Sequence, residues 1–240
     1  MTPFGWRGFR KPEDRSDPER EAEFEQQRLE MVRTQIERRG VREPLVLAAM
    51  RKVPRHRFVL DTMVSEAYMD CPLPIGYEQT ISQPYIVALM TELLGVQTNE
   101  KVLEIGAGSG YQAAVLAEMG CEVFTVEIVE PLAHRAEATL LELGYSNVHV
   151  MHADGYDGFA SHAPFDGIMV TAAPDHIPKA LVDQLQEGRR LVLPVGDLDQ
   201  NLYCIEKKGG DLDKRLIIPV RFVPMTGRAL GEGNGLGGGE

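Results

Sequence analysis

KVLEIGAGSG, residues 101–110, is the stretch on which the reading of this chain turns. Val102, Leu103 and Ile105 make a short apolar run suited to a buried strand, and Gly106, Gly108 and Gly110 follow at once. Residues 111–119 come next and are helix-forming. Strand, glycine turn and helix in that order form a cradle for a nucleotide cofactor, because glycines let backbone N–H groups approach a ligand closely. A dinucleotide fingerprint G-x-G-x-x-G starting at Gly106 needs its third glycine at position 111, where Tyr111 stands instead. The spacing is G-x-G-x-G, with the acidic Glu104 two residues before the first glycine. A glycine turn in another α/β protein would share this much, so the loop alone leaves its ligand open.

Working outward, 240 residues suffice for one sizeable α/β domain with a full core. The composition, 43% hydrophobic and 25% charged, is globular. A formal net charge of −11 argues against a non-specific nucleic-acid binder, because affinity for phosphates rests on Lys and Arg. Cys71, Cys121 and Cys204 lack C-x-x-C spacing and read as buried small hydrophobes rather than a disulfide framework or a zinc site. No apolar run reaches the length of a membrane span, and no signal-peptide core follows the basic start. A cytoplasmic enzyme, acting on neither membrane nor nucleic acid, is the expectation.

Upstream, Phe4, Trp6 and Phe9 stand among Arg7, Arg10 and Lys11, and residues 1–25 read as a disordered extension. A helix is expected from Ser16 or Asp17, with Pro18 in its first turn and Glu19 completing a capping box. Its apolar positions are Phe24, Leu29, Val32 and Ile36, and Gly40 ends it. A second helix over 43–51 stops before Pro54, and the two form an N-terminal cap. The Pro-rich DCPLPIG, 70–76, reads as irregular and excluded from the centre of a sheet. A helix over 83–94 places Ser82 at or beside its N-cap.

Downstream, strands are expected at 101–105, 122–127, 147–151, 166–171 and 190–195, separated by helices at 111–119, 131–143 and 178–186. This alternation predicts an α/β fold with a doubly wound, mostly parallel sheet. Residues 201–207 and 215–223 read as an antiparallel hairpin across Gly209 and Gly210 at one end of that sheet. The domain is expected to span 26–227, followed by a Gly-rich disordered tail, 228–240.

Ligands of open parallel sheets bind at the carboxyl ends of the strands. Three acids fall there: Glu104 on the first strand, Glu127 ending the second and Asp154 just after the third. Glu127 lies about twenty residues beyond the glycines, where a carboxylate can accept both ribose hydroxyls. Asp154, ahead of Gly155, can accept a hydrogen bond from an adenine amino group. Singly, each has an ordinary alternative, a solvated Glu or an Asp-Gly turn; all three at successive strand ends is less readily coincidental. Ser82 also has two readings that the residues do not separate. Its hydroxyl caps its own helix, or it orients an anion attracted by the helix N-terminus without quenching that anion's nucleophilicity. There is no G-x-S-x-G elbow and no metal-binding histidine spacing, and His152 and His176 read as surface residues.

Seven motifs resemble one family: PLPIG at 72–76, QTISQPY at 79–85, VLEIGAGSGYQAA at 102–114, ADG at 153–155, APFDGIMVTAAP at 163–174, LVLPVG at 191–196 and RFVPMTG at 221–227. Together they are similar to the protein-L-isoaspartate O-methyltransferases, among the class I S-adenosylmethionine-dependent methyltransferases, over about Met31 to Gly227. Glu78, Ala153 and Arg189 stand where that family usually has glycine, and Glu78 is expected to place a negative charge beside the anion site. The resemblance implies a Rossmann-like methyltransferase fold and methyl transfer from S-adenosylmethionine, without a metal, to the free α-carboxylate of L-isoaspartyl residues in damaged proteins and peptides, leaving S-adenosylhomocysteine. It implies Ser82 as the active-site residue, positioning the carboxylate. Cofactor contacts would come from Thr80, Ile81, Glu104, Gly106, Ala107, Gly108, Ser109, Gly110, Glu127, Asp154 and Gly155, and substrate contacts from Thr80, Ser82 and Val223. The enzyme is expected to act as a monomer. A different small-molecule or RNA acceptor is the competing reading, weakened by the acidic balance and by the lack of an N-P-P-Y-type motif.

Overall fold

A computed structural model describes residues 18–230. The expected cap residues Ser16 and Asp17, the aromatic arm and residues 231–240 lie outside that range. Helix α1, Pro18–Met31, buries Phe24 and Met31, whereas Leu29, expected on the same face, is 43% exposed. The helical phase then changes through a π turn, Val32–Ile36, whose wider winding turns both Val32 and Ile36 into the core. A 3₁₀ turn, Glu37–Arg39, and Gly40 at φ 102° close the segment. Residues 18–25, assigned to the extension by the domain boundary, instead carry the start of the helix expected from Ser16 or Asp17, and the Phe24 ring stacks on His56 at 4.0 Å. The folded unit therefore begins before residue 26. Helix α2, Pro44–Lys52, starts at Pro44 with Glu43 as its cap.

The Pro-rich segment is more regular than expected. Strands β1, Leu73–Gly76, and β2, Gln79–Ile81, form a two-stranded antiparallel ribbon separate from the main sheet. Pro74 lacks a donor and could not occupy a central strand, but a ribbon paired on one side accommodates it. Tyr77 and Glu78 turn the ribbon with φ of 54° and 59°, in the left-handed region. Helix α3, Pro84–Leu94, follows and ends at Gly95.

The main sheet comprises β3 Lys101–Ile105, β4 Glu122–Glu127, β5 Val148–His152, β6 Phe165–Val170, β7 Leu185–Val195, β8 Gln200–Lys208 and β9 Asp211–Val220. Its order is β5-β4-β3-β6-β7-β8-β9. The first five are mutually parallel, and β8 and β9 run antiparallel at one end. Helices α4 Tyr111–Glu118, α5 Glu130–Glu142 and α6 Lys179–Gln184 provide the crossovers. Two apolar clusters make up the core; one gathers Val102, Val123 and Met169 with the N-terminal helices, the other Leu103, Phe124 and Ile168 with Leu181. Alternate residues of the central strands thus feed both clusters, as a sheet covered on both faces requires.

Several boundaries differ from expectation, among them the start of β7, at Leu185 rather than 190. Helix α6 stops at Gln184 rather than 186, because Leu185 already pairs with Phe165 of β6. Strand β9 begins at Asp211, directly after the two-glycine turn, and ends at Val220 rather than 223. There the Gln200 side chain replaces ladder pairing: its Nε2 donates to Phe222 O at 3.1 Å, and its Oε1 accepts from Phe222 N at 2.6 Å. The chain is released from the edge and crosses towards β6, where Ala173 bridges Pro224.

Candidate active site

The carboxyl ends of β3, β4 and β6 open into a cleft of about 820 Å³. Glu104, Gly106, Ala107, Gly108 and Ser109 line it from β3 and its loop, Glu127 from the end of β4, and Asp154 and Gly155 from the loop after β5. Thr80, Ile81 and Ser82 line it from β2 and its exit, and Val223 from the released segment. Gly110 is not in the lining. At φ 86° it starts α4, and a Cβ there would lie 3.2 Å from Leu140 Cδ1, so this glycine serves the packing of α4 on α5.

The loop is held from both sides. At Gly106, φ 99°, a Cβ would sit 2.5 Å from Thr171 Oγ1, and that hydroxyl donates to Gly106 O at 2.6 Å. Glu127 is nearly buried and accepts from Gly108 N at 2.7 Å through Oε2 and from Val129 N at 2.9 Å through Oε1. Each oxygen keeps further acceptor capacity. Asp154 has a comparable double engagement, accepting from Tyr156 N at 3.0 Å and Arg228 N at 2.8 Å. Glu104 is different. It is fully buried; Thr125 Oγ1 donates to its Oε2 at 2.6 Å, and its Oε1 has no partner. Burial raises its pKa from 4.5 to about 8; the Thr125 hydrogen bond opposes the rise and the charge of Glu127 adds to it.

Ser82 is not a cap. The N-cap of α3 is Gln83, which makes no side-chain cap bond, and Pro84 opens the helix. Asp70 supplies the acceptor instead, taking Tyr85 N at 3.4 Å through Oδ1 and Gln83 Nε2 at 2.8 Å through Oδ2. The Ser82 hydroxyl makes no hydrogen bond among the described residues and is left for a ligand. With Thr80, Thr171 and Val223 it also lines a second cavity of about 1060 Å³, whose walls include Arg39, Ile86, Arg221 and Phe222. The two cavities meet at these four residues. Glu78, expected beside the anion site, is exposed at the ribbon tip and lines neither cavity. His176 is not a free surface residue, since its Nε2 lies 2.8 Å from Tyr156 Oη; His152 is exposed.

Sequence reasoning placed Thr80 and Ile81 in the cleft but did not read their segment as a ribbon, and it did not single out Thr171 or Pro224–Thr226. Thr171 follows β6 at the same carboxyl-end position as the acids, so the strand-end rule that found Glu127 would have found it too. The ribbon was signalled by its neighbour: Arg135 of α5 donates to Ile75 O at 2.6 Å, a contact that periodicity does not reveal.

Among the described residues no group of His, Cys, Asp and Glu is arranged to hold a metal ion. The cleft does fit S-adenosylmethionine. Glycines stand where a Cβ would collide, a carboxylate ends β4, and the unpartnered Glu104 oxygen suits a cationic ligand group. Fold and cleft together are those of an S-adenosylmethionine-dependent methyltransferase. Residues 26–230 match the family model for protein-L-isoaspartate(D-aspartate) O-methyltransferase. The chain is 54% identical over 204 residues to a Picosynechococcus protein-L-isoaspartate O-methyltransferase, covering 85% of this chain and 92% of that one. It is 57% identical over 198 residues to one from Gloeobacter violaceus, covering 82% and 97%. A solved protein-L-isoaspartate O-methyltransferase superposes with TM-score 0.77 at 29% identity, covering 86% of this chain and 67% of that one. A Plasmodium falciparum member in complex with S-adenosyl-L-homocysteine gives 0.72 at 26%, covering 83% and 98%. The chain belongs to the protein-L-isoaspartate(D-aspartate) O-methyltransferase family.

Proposed function

We propose that this enzyme methylates the free α-carboxylate of L-isoaspartyl residues in damaged proteins and peptides, with Ser82 as the residue that positions that carboxylate. One observation carries the assignment: an unpartnered hydroxyl where the cofactor cleft and the second cavity meet, one residue before the N-cap of α3. When bound, S-adenosylmethionine supplies an electrophilic methyl group. Glu127 would accept the ribose hydroxyls on the lone pairs that Gly108 and Val129 leave free, and Asp154 and Gly155 would border the adenine. Glu104 would face a cationic group through Oε1, with Thr80, Ile81, Ala107 and Ser109 completing the lining. Thr80, Ser82 and Val223 would hold the acceptor, presented through the second cavity.

A carboxylate is ionised at neutral pH, so the acceptor needs no general base. The residues' contribution is to align an oxygen with the methyl carbon and to keep water out, an orientation effect worth several kcal/mol. The net charge of −11 supports a protein or peptide substrate over nucleic acid, and no helix among the described residues is long and apolar enough to cross a membrane. We read the enzyme as a cytoplasmic monomer. Incubation with methyl-labelled cofactor and paired peptides differing only in isoaspartate versus aspartate tests the activity. Label on the isoaspartyl peptide alone is expected, and equal labelling of both would overturn the reading.

A further inference from the structure

The second cavity is walled on one side by β2 and α3 and on the other by the end of β9 and the segment released from it. Arg39 and Arg221 are its charged lining residues, and no Asp or Glu stands among them. The contrast with the whole chain is sharp, because its formal net charge is −11. Glu78, the acid nearest in sequence to Ser82, lines neither cavity.

The two guanidinium groups are not equivalent. Arg39 is already engaged: its Nη1 donates to Asp70 Oδ2 at 2.7 Å, and its guanidinium carbon lies 3.4 Å from the centre of the Tyr85 ring. Asp70 thus answers its charge. Arg221 is exposed and makes no side-chain hydrogen bond or ion pair among the described residues. The backbone beside it, in contrast, is pinned. Gln200 engages both the N–H and the carbonyl of Phe222, and Val223 O accepts from Ala173 N at 2.8 Å. A fixed stretch of chain therefore presents one uncompensated cation at the cavity wall. Val223 lines both cavities, and two residues of chain span at most about 7 Å, so Arg221 stands one or two peptide residues from the place where the cavities meet.

We propose that Arg221 is a specificity-determining residue that selects peptides carrying Asp or Glu one or two positions from the residue to be methylated, and disfavours those carrying Lys or Arg there. The inference rests on the carboxyl methyltransferase reading above. The partner follows from the chemistry of the group: a guanidinium offers five N–H donors and no acceptor, and a carboxylate can take two of those donors at once. Arg221 is exposed until the peptide arrives, so the pairing is worth up to about fivefold per acidic residue. At about 0.1 M salt the Debye length is about 10 Å, so the distant acids behind the overall charge are screened and the local pair decides the preference.

The test uses isoaspartyl peptides that are identical except for Glu, Gln or Lys at one of the two positions on either side of the isoaspartate. They are assayed at about 0.1 M salt with the full-length wild type, Arg221→Lys, Arg221→Gln and Arg221→Glu. Arg39 is left intact, because replacing it would also release Asp70. For the wild type, kcat/KM is expected to fall in the order Glu, Gln, Lys by about threefold per step at one or more positions, with the difference residing in KM. Arg221→Lys should keep that order, Arg221→Gln should bring the three peptides within about twofold of one another, and Arg221→Glu should reverse the order. A merely structural role would lower all three values together and leave their ratio unchanged. Equal wild-type values at every position, or an unchanged ratio in Arg221→Glu, would overturn the proposal. If the wild type methylates the Gln isoaspartyl peptide no better than its aspartyl counterpart, the reading of the activity itself falls and the proposal falls with it.

Discussion

Replacing Glu104 by glutamine isolates a charge that the fold keeps buried. In the folded chain the pKa of this carboxyl is pushed up to about 8 from its ordinary 4.5, mainly because burial penalises its charged form. Between those values the folded state retains a proton that the unfolded state has released, so rising pH favours unfolding. The penalty is absent below the lower value, grows by at most about 1.4 kcal/mol per pH unit, and reaches about 3 kcal/mol near pH 7. Above about pH 8 it levels off. Glutamine cannot ionise, so the stability difference between variant and wild type should shift in the variant's favour by about that amount from pH 4.5 to pH 7. Its buried amide adds a pH-independent offset, because an unsatisfied donor costs about 1–3 kcal/mol. The slope therefore carries the test.

Urea unfolding of both proteins at pH steps across this window measures that slope. Parallel pH profiles would refute a buried neutral carboxyl at Glu104. The same reasoning reaches the ligand. If Oε1 meets a cationic group, binding ionises Glu104 and releases its proton, so cofactor affinity should rise about tenfold per pH unit below the folded-state pKa. Calorimetry in buffers of different ionisation enthalpy should detect the released proton in the wild type and not in Glu104→Gln.

Ser82→Ala should lower kcat far more than it weakens cofactor binding, as measured by steady-state kinetics alongside direct titration. Because its hydroxyl caps no helix, thermal stability should stay within about 0.5 kcal/mol of wild type. Gly106→Ala brings a Cβ against Thr171 and imposes a left-handed φ on alanine, so cofactor binding should be lost and stability should fall by about 1–3 kcal/mol, read by calorimetry and denaturation. Glu127→Gln replaces an acceptor with an amide facing two backbone N–H groups; cofactor Kd should rise at least tenfold, or about 1.4 kcal/mol, in titration. Glu78→Gly should leave the peptide KM within about twofold of wild type, since this side chain lines neither cavity, and a larger change would restore Glu78 to the substrate site.

The central sheet was legible because its signal is local. β3, β4 and β6 are short apolar runs, the first two closed by Gly106 and Glu127, and their boundaries fall within a residue of expectation. What failed depended on contacts distant in sequence. Nothing near Val32 announces a π turn; the winding follows from burying Val32 and Ile36 against helices that come later. The premature end of β9 depends on Gln200, more than twenty residues away, whose side chain takes the ladder position of the partner strand. Ser82 shows the limit at the site. Its neighbours suggest a capping serine, and only the position of Asp70, twelve residues earlier, removes that role.

Asp70 also clarifies how the acids near this site are used. Glu127 ties the glycine loop to the start of α5, Asp154 ties the loop after β5 to the C-terminal segment, and Asp70 ties the stretch before β1 to α3. Each spends acceptor capacity on backbone N–H groups, so the walls of the cleft are fixed before any ligand arrives, and ordering entropy need not be lost on binding. Glu104 alone is withheld from such bracing. One of its oxygens is buried without a partner, at a cost to stability that Glu127 and Asp154 avoid. A fold that needed only rigidity would have an apolar residue at this inward position of β3. On the proposed function, an acid there would face a ligand that brings its own positive charge, as a sulfonium cofactor does.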